Sequence, residues 1–505
     1  MIPLNLASIA QACGGTLSAS ATGDERITGK VEFDSRKIAQ GDLFIALHGA
    51  RVDGHDFADQ VMDAGAAGAL LYRDVGVPGV LVAKVEQSAS NAYATAHDST
   101  GAAASVIAGM SKLARYVCDQ LTPQLCVVGV TGSAGKTSAK DMMASIFSAQ
   151  APTVAPPGSF NNEIGHPYTV LRCDTDTRFL VSELSARGVG HIRALTEVAP
   201  PHIGVVLNVG SAHLGEFGSQ ATIAKAKGEL VEALPADGVA VLNADDPLVA
   251  AMASRTDAKV MTFGTAEDAT VRASEIRLDA QARPAFRLHT PEGDAEIQLG
   301  VSGEHQVWNA LAALAAALAA GVDLSTAVTA IQAHRNASAH RMDVRHRGDG
   351  LTVIDDAYNA NAESMRAGIR AAVSTARGRQ GRAIAVLGPM GELGQDSAQE
   401  HERLGTELAA LGVDKLVVVG DQPDAQALAR GAGSLTEAVT QTPEQAAGVV
   451  EKLAGPRDTV LVKASNAFQL WRVADALMAN DAINEDHNAI NKDQQELSEL
   501  QVNDK

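Results

Sequence analysis

The segment Leu125-Cys126-Val127-Val128-Gly129-Val130, followed by Thr131-Gly132-Ser133-Ala134-Gly135-Lys136-Thr137, decides how this chain is read. An almost unbroken apolar run of this length fits a strand buried on both faces of a parallel sheet. The glycine-spaced loop then opens a helix, in which Met142, Met143, Ile146 and Phe147 share one face. Strand, loop and helix in that order are the setting of a phosphate-binding loop. Glycines let backbone N–H groups turn toward phosphate oxygens, and the helix N-terminus adds a favourable field. Gly132, Ser133, Ala134, Gly135, Lys136, Thr137 and Ser138 are therefore the expected ATP-binding residues. Lys136 reaches the terminal phosphates, and the Thr137 hydroxyl holds Mg²⁺. Val130 stands where the general pattern has glycine, so the match is GxxGKT rather than GxxxxGKT. The loop alone leaves kinase, motor, transporter subunit and ligase open.

Working outward, the block 119–338 holds the strand candidates FLVSEL, IGVVLNV and GVAVLNA and closes after the Ala-rich helix WNALAALAAALAAG. The block 1–118 alternates short strands (DLFIAL, GALLYRD) with the helical stretch HDFADQVMDAGA. The block 339–480 offers LTVIDD, AIAVLG, KLVVVG and TVLVKA with helices between them. The expected fold class is α/β in three domains. A smaller N-terminal α/β domain precedes a central P-loop-type, mainly parallel sheet and a C-terminal Rossmann-like sheet. Residues 481–505 are polar without apolar periodicity and read as a disordered tail.

Composition narrows the function. The chain has 505 residues and a formal net charge of −19, which argues against nucleic acid or an anionic membrane as partner. Aromatics are 3%, too few for a base-stacking platform. Cys13, Cys118, Cys126 and Cys173 form no CxxC pair and read as free thiols in a reducing compartment. No cationic leader opens the chain, and the longest apolar run, Trp308 to Val322, is too short to span a bilayer. The expectation is a cytoplasmic, monomeric protein without membrane insertion.

Glu183 ends one strand candidate and His213 follows another. In a parallel sheet both fall on the carboxyl edge that carries Lys136, where a carboxylate and an imidazole can bind a divalent cation beside phosphates. The two lysines of Ile223-Ala224-Lys225-Ala226-Lys227-Gly228-Glu229 read, from spacing alone, as a solvated helix face.

Several patterns then combine in one order: GSAGKT, Ser159-Phe160-Asn161-Asn162-Glu163-Ile164-Gly165, ELSARG, NVGSAHLGEFGS with AKAKGE, Gly303-Glu304-His305-Gln306 with Asn309, Arg341, and Asp355-Asp356-Ala357-Tyr358-Asn359-Ala360-Asn361. Together they resemble the Mur ligases of peptidoglycan synthesis, over about residues 25 to 475. FNNEIG and DDAYNAN resemble the branch that adds D-alanyl-D-alanine. The resemblance implies that ATP phosphorylates the terminal carboxylate of UDP-N-acetylmuramoyl-tripeptide. The amine of D-alanyl-D-alanine then attacks the acyl phosphate. It implies two Mg²⁺ and a carbamylated lysine. Distance to Leu230 favours Lys227 over Lys225 for that modification. Lys136, His213 and Lys227 become the catalytic set, with Thr137, Glu183, His213 and Lys227 around metal. By the same resemblance His305, Asn309, Arg341, Asp356, Tyr358 and Asn359 contact the nucleotide, Asn309 at the adenine. Ser35 and Arg36 hold the uridine diphosphate. Asn161, Asn162 and Ser185 line the muramoyl-peptide site, and Asn361 and Ser364 the dipeptide side. Pro389 and Ala464 depart from the family's usual Asp and Gly. Two alternatives are another Mur-type or folylpolyglutamate-type amide ligase, and a P-loop module that uses ATP only as a switch.

Overall fold

Cys126–Thr131 lies in a nine-stranded sheet between Phe179–Glu183 and Ile203–Val206 and runs parallel to both. The computed structural model describes residues 1–49, 51–85, 98, 100–210 and 214–479. His213 and the tail 481–505 lie outside the described residues. From Cys126–Thr131 the chain moves to one side, through Thr153–Val154 and Phe179–Glu183, and then crosses to the other with Ile203–Val206. That reversal puts the phosphate loop at a topological switch point, where crevices form beyond the carboxyl ends of strands.

Alternation along each strand sorts the core into layers. Val128, Val130, Val181 and Val205 pack with Met142, Met143, Ile146 and Phe147, the helix face expected from the sequence. The helix Gln306–Ala319 joins the same layer and is buried along most of its length, because alanine side chains allow close helix approach. Val206, Ala240 and Leu242 face the opposite side, against Ile223, Leu230 and Leu234. Val127 and Leu180 turn instead toward Leu6, Leu43, Ile45 and the helix Ala102–Leu121. One apolar cluster thus joins the first block to the central sheet, and that helix runs through residue 118.

Val239–Asn243, Lys259–Gly264 and Val271–Leu278 extend the sheet in parallel; Pro284–Thr290 and Gly293–Gln298 close it antiparallel. These outer strands, as in VRASEIRL, alternate buried and accessible residues, so they carry no continuous apolar run. The first block holds a five-stranded sheet in the order Thr16–Leu17, Gly79–Leu81, Gly68–Leu71, Leu43–Ile45, Val31–Glu32, beside the antiparallel pair Leu4–Asn5 and Arg26–Ile27.

The third block is a six-stranded sheet ordered Asp343–His346, Thr352–Asp355, Thr459–Lys463, Ala383–Leu387, Lys415–Val419, Thr436–Thr440, antiparallel only at the first pair. Ile354, Leu387, Val418 and Leu461 pack on Met365, Ile369, Leu404 and Leu408; Val353, Val386, Val417 and Val462 pack on Ala446, Val450, Leu470 and Val473. Helices therefore cover both faces, as the expected α/β class requires. Among the described residues no helix is long and apolar enough to cross a membrane.

Candidate active site

Gly135 caps the helix Lys136–Gln150 at φ 83°, and a Cβ there would stand 2.4 Å from Asn309 Oδ1. Glycine meets both demands. The loop is pinned from the neighbouring strand's exit. The Ala134 N–H donates to Asn208 Oδ1 (2.9 Å), Asn208 Nδ2 donates to Ala134 O (3.1 Å), and the Ser133 N–H donates to Asn208 O (3.1 Å). The Gly210 N–H donates to Ser133 Oγ at 2.9 Å. Lys136 Nζ donates to Gly132 O at 2.7 Å; burial pulls its pKa down, and Glu183 acts against that.

Glu183 is 1% exposed. Its Oε1 accepts from Asn161 Nδ2 at 2.6 Å, while Oε2 is buried with no hydrogen-bond partner. A buried carboxylate oxygen left unpaired is costly unless a cation or donor completes it. Glu183 and the Thr137 hydroxyl both line the cleft and are oxygen donors of the kind hard divalent ions take. Among the described residues no cluster of three or more His, Cys, Asp or Glu side chains occurs, so no ready-made metal cage stands elsewhere.

Lys225 is exposed, as a solvated face requires, but Lys227 is 3% exposed. The spacing-based reading is therefore corrected at Lys227. Ile223, Lys227 and Leu230 fall on one helical stripe, and the apolar pair carries the lysine inward. Burial pushes its ammonium well below the ordinary range, with the Lys136 charge adding to the effect.

A cleft of about 780 Å³ joins this edge to the third block. Arg341 donates from a terminal nitrogen to Ser159 Oγ (2.9 Å) and lies 4.1 Å over the Tyr358 ring; its Nε is buried without a partner. Asp356 Oδ1 accepts from the Met342 N–H (3.1 Å) and Oδ2 from Lys463 Nζ (2.6 Å). Lys463 also donates to Asn359 O at 2.9 Å. His305 lines the cleft, its pKa lowered by burial to about 4. Asn309 donates to Gln306 Oε1 (2.9 Å) and meets the phosphate loop at Gly135, whereas the resemblance implies adenine there. Asn161 and Ser185 reach the cleft bonded to each other, Ser185 Oγ to Asn161 Oδ1 at 3.1 Å.

Other expected residues have different local duties. Asn162 Oδ1 accepts from the Gly165 N–H (2.9 Å), which holds a turn away from the cleft lining. Asn361 and Ser364 line the cleft but form the capping box of the helix Ala362–Gly378, and Asn361 Nδ2 donates across to Ser133 O at 3.3 Å. Ser35 and Arg36 are not brought to the cleft. Arg36 is folded onto Asp34 (Nε to Oδ1, 2.8 Å), which holds the Asp34 carboxyl at about 2. Their loop is tied to the FNNEIG segment by aromatic rings: Phe33 stands 6.4 Å from Phe160 and 5.0 Å from Tyr168 between centroids.

Residues 29–116 match the family model described as Mur ligase family, catalytic domain; 130–317 match the Mur ligase middle domain; 340–466 match the Mur ligase, glutamate ligase domain. A protein of Mycobacterium tuberculosis strain H37Rv is 48% identical over 503 residues, spanning 95% of this chain and 99% of the relative. This chain belongs to the Mur ligase family. The relative is named UDP-N-acetylmuramoyl-tripeptide--D-alanyl-D-alanine ligase. The crystal structure of MurF from Acinetobacter baumannii shares the fold with a TM-score of 0.82 at 32% identity, covering 94% of this chain and 99% of that one. The MurF ligase of Thermotoga maritima in complex with ADP gives 0.75 at 26% identity, covering 91% and 99%.

In this Mur ligase the structure adds residues that sequence reasoning missed. Lys463 is buried at the carboxyl end of TVLVK, and its signal was a charge closing an apolar strand. Asn208 follows IGVVL in the same way. Asp245 accepts from Trp308 Nε1 at 2.7 Å inside the cleft, a pairing 63 residues apart that no local pattern announces.

Proposed function

We propose that this Mur ligase joins D-alanyl-D-alanine to UDP-N-acetylmuramoyl-tripeptide at the expense of ATP, giving ADP, phosphate and the pentapeptide precursor of peptidoglycan. The observation that carries the reading is 48% identity, along 95% of the chain, to a relative of that name. Support comes from the cleft, where the phosphate loop, Glu183 and Asn161 of FNNEIG meet Arg341 and the DDAYNAN loop.

A tripeptide carboxylate brought to a triphosphate meets strong repulsion, about 4 kcal/mol for each like pair at 4 Å and an effective dielectric of 20. Lys136 and Arg341 offset it from opposite sides. A carboxylate oxygen attacks the γ-phosphorus and ADP leaves; the dipeptide amine then attacks the acyl carbon, phosphate leaves, and the amine gives up a proton. Thr137 would hold one Mg²⁺, and Glu183, His213 and a carbamate of Lys227 a second, and the ions would supply neutralisation of phosphate charge. The low Lys227 pKa favours the neutral amine to which CO₂ adds with loss of a proton. Tyr358 orients Arg341 by stacking, and Lys463 fixes Asp356 for ribose contact. Asn161 and Ser185 serve the muramoyl peptide, and Ser35 with Arg36 the uridine diphosphate.

In this reading the domains are 1–118 for the uridine nucleotide substrate, 119–338 for ATP and 339–480 for closure, and the protein acts as a cytoplasmic monomer. The test is ADP formation with each substrate withheld in turn, with mass measurement of the product. Dependence on both muramoyl tripeptide and dipeptide is expected; undiminished ADP release with neither present removes the proposal. A product panel with other amino acceptors separates it from the folylpolyglutamate-type alternative.

A further inference from the structure

Ser159 touches both halves of the cleft. Its Oγ lies 2.9 Å from Thr137 Oγ1, on the phosphate-loop helix, and 2.9 Å from a terminal nitrogen of Arg341, in the third block. Arg341 is firmly aimed: it stacks on Tyr358 and sits between His340 and Met342, both in left-handed backbone at φ 60° and 50°. A guanidinium can only donate, so one Ser159 lone pair accepts from it. A hydroxyl that offers a lone pair to a cation has to send its proton elsewhere. Either hydroxyl can donate across the 2.9 Å contact, and a Thr137 oxygen that gives a lone pair to a divalent cation can share its proton with the second Ser159 lone pair.

We infer that Ser159 is a positioning residue: it accepts the Thr137 hydroxyl proton and so turns a Thr137 lone pair toward the divalent cation that accompanies a nucleotide. Because the same oxygen accepts from Arg341, the orientation of Thr137 is set only when the third block stands against the phosphate loop. Cation binding and domain engagement thus share one oxygen atom. Ser159 itself need touch neither substrate nor metal. The inference rests on the nucleotide-binding part of the function proposed above.

Calorimetric titration of ADP, once with Mg²⁺ and once with EDTA, tests it. Ser159→Ala is expected to weaken ADP binding about three- to tenfold with Mg²⁺, the range of one lost hydrogen bond, and to leave binding in EDTA unchanged. Ser159→Thr, which keeps the hydroxyl, recovers the parent value. Unchanged affinity of Ser159→Ala in Mg²⁺, or an equal loss in both buffers as loop packing alone would give, overturns the inference. A parent protein that binds no ADP in either buffer removes the nucleotide reading and this inference together.

Discussion

Lys227 illustrates what one side chain's surroundings decide. A lysine two residues away, Lys225, has the same covalent chemistry but stands in water, and only Lys227 is stripped of solvent beside Lys136. Lys227→Ala is expected to lower turnover at least a hundredfold, with partial recovery on adding a short-chain carboxylic acid, while Lys225→Ala stays within twofold of the parent. Full activity of Lys227→Ala in a steady-state assay would mean the lysine was wrongly chosen. His166 supplies a pH dependence. It is 1% exposed, its Nε2 donates to Leu195 O at 3.0 Å, and burial lowers its pKa from 6.5 to about 4. The unfolded chain binds a proton on this imidazole that the folded chain refuses. Stability from His166 is therefore intact above pH 6.5 and declines toward pH 4, by about 2 kcal/mol at pH 5. Melting curves from pH 7 to 5 should fall less steeply in His166→Gln; equal slopes would refute the assignment. The thiols lie at the other extreme: burial raises Cys13 and Cys173 to about 12, and Cys118 and Cys126 to about 11, so none is a reactive thiolate.

At the level of elements, the phosphate loop works because two neighbours hold it. Asn208 reads its backbone from the next strand, and Asn309 packs on Gly135 from the helix behind. Gly135→Ala therefore meets two obstacles, a left-handed backbone and the Asn309 amide, and strain of about 1–3 kcal/mol should appear as an affinity loss of about tenfold or more for ADP. Isothermal titration checks this; an unaltered dissociation constant would show that the loop has room. Asn361 shows an element's end serving two purposes. Its carbonyl oxygen caps the helix Ala362–Gly378 while its amide nitrogen reaches Ser133 O in the phosphate loop. The sequence made DDAYNAN visible as a functional loop. That its last asparagine is also a helix cap follows from Ser364 three residues on, a local signal that was available.

Across the whole molecule, the cleft exists only because the central and third blocks touch. Gly215 meets Gly394, where a Cβ would stand 2.6 Å from the Gly394 nitrogen, and Gly210 meets the Glu363 carboxylate, where a Cβ would stand 2.8 Å from its carbon. Gly215→Val should act as a wedge. It is expected to open the molecule, to increase the radius of gyration seen by small-angle scattering, and to cut turnover at least tenfold, since the roles proposed for Arg341 and Lys136 need the two blocks side by side. An unchanged scattering profile with full activity would show that the contact is dispensable. The first block is joined through Val127 and Leu180, which share a core with Leu6, Leu43 and the helix Ala102–Leu121.

Much of this was decided by local pattern. The buried central strand, the glycine loop, the amphipathic helix behind it, the three α/β blocks and Glu183 at a strand end all follow from apolar periodicity and glycine placement, which act over a few residues and so are written in the chain. The half-exposed outer strands escaped because alternation with charge imitates a surface. The burial of Lys227, the orphaned Glu183 oxygen, the Asp245–Trp308 and Lys463–Asp356 pairs, and the meeting of Ser159 with Arg341 belong to the tertiary structure alone. Desolvation and hydrogen-bond completion depend on what the folded chain brings from 63 to 182 residues away, and no local spacing encodes that distance.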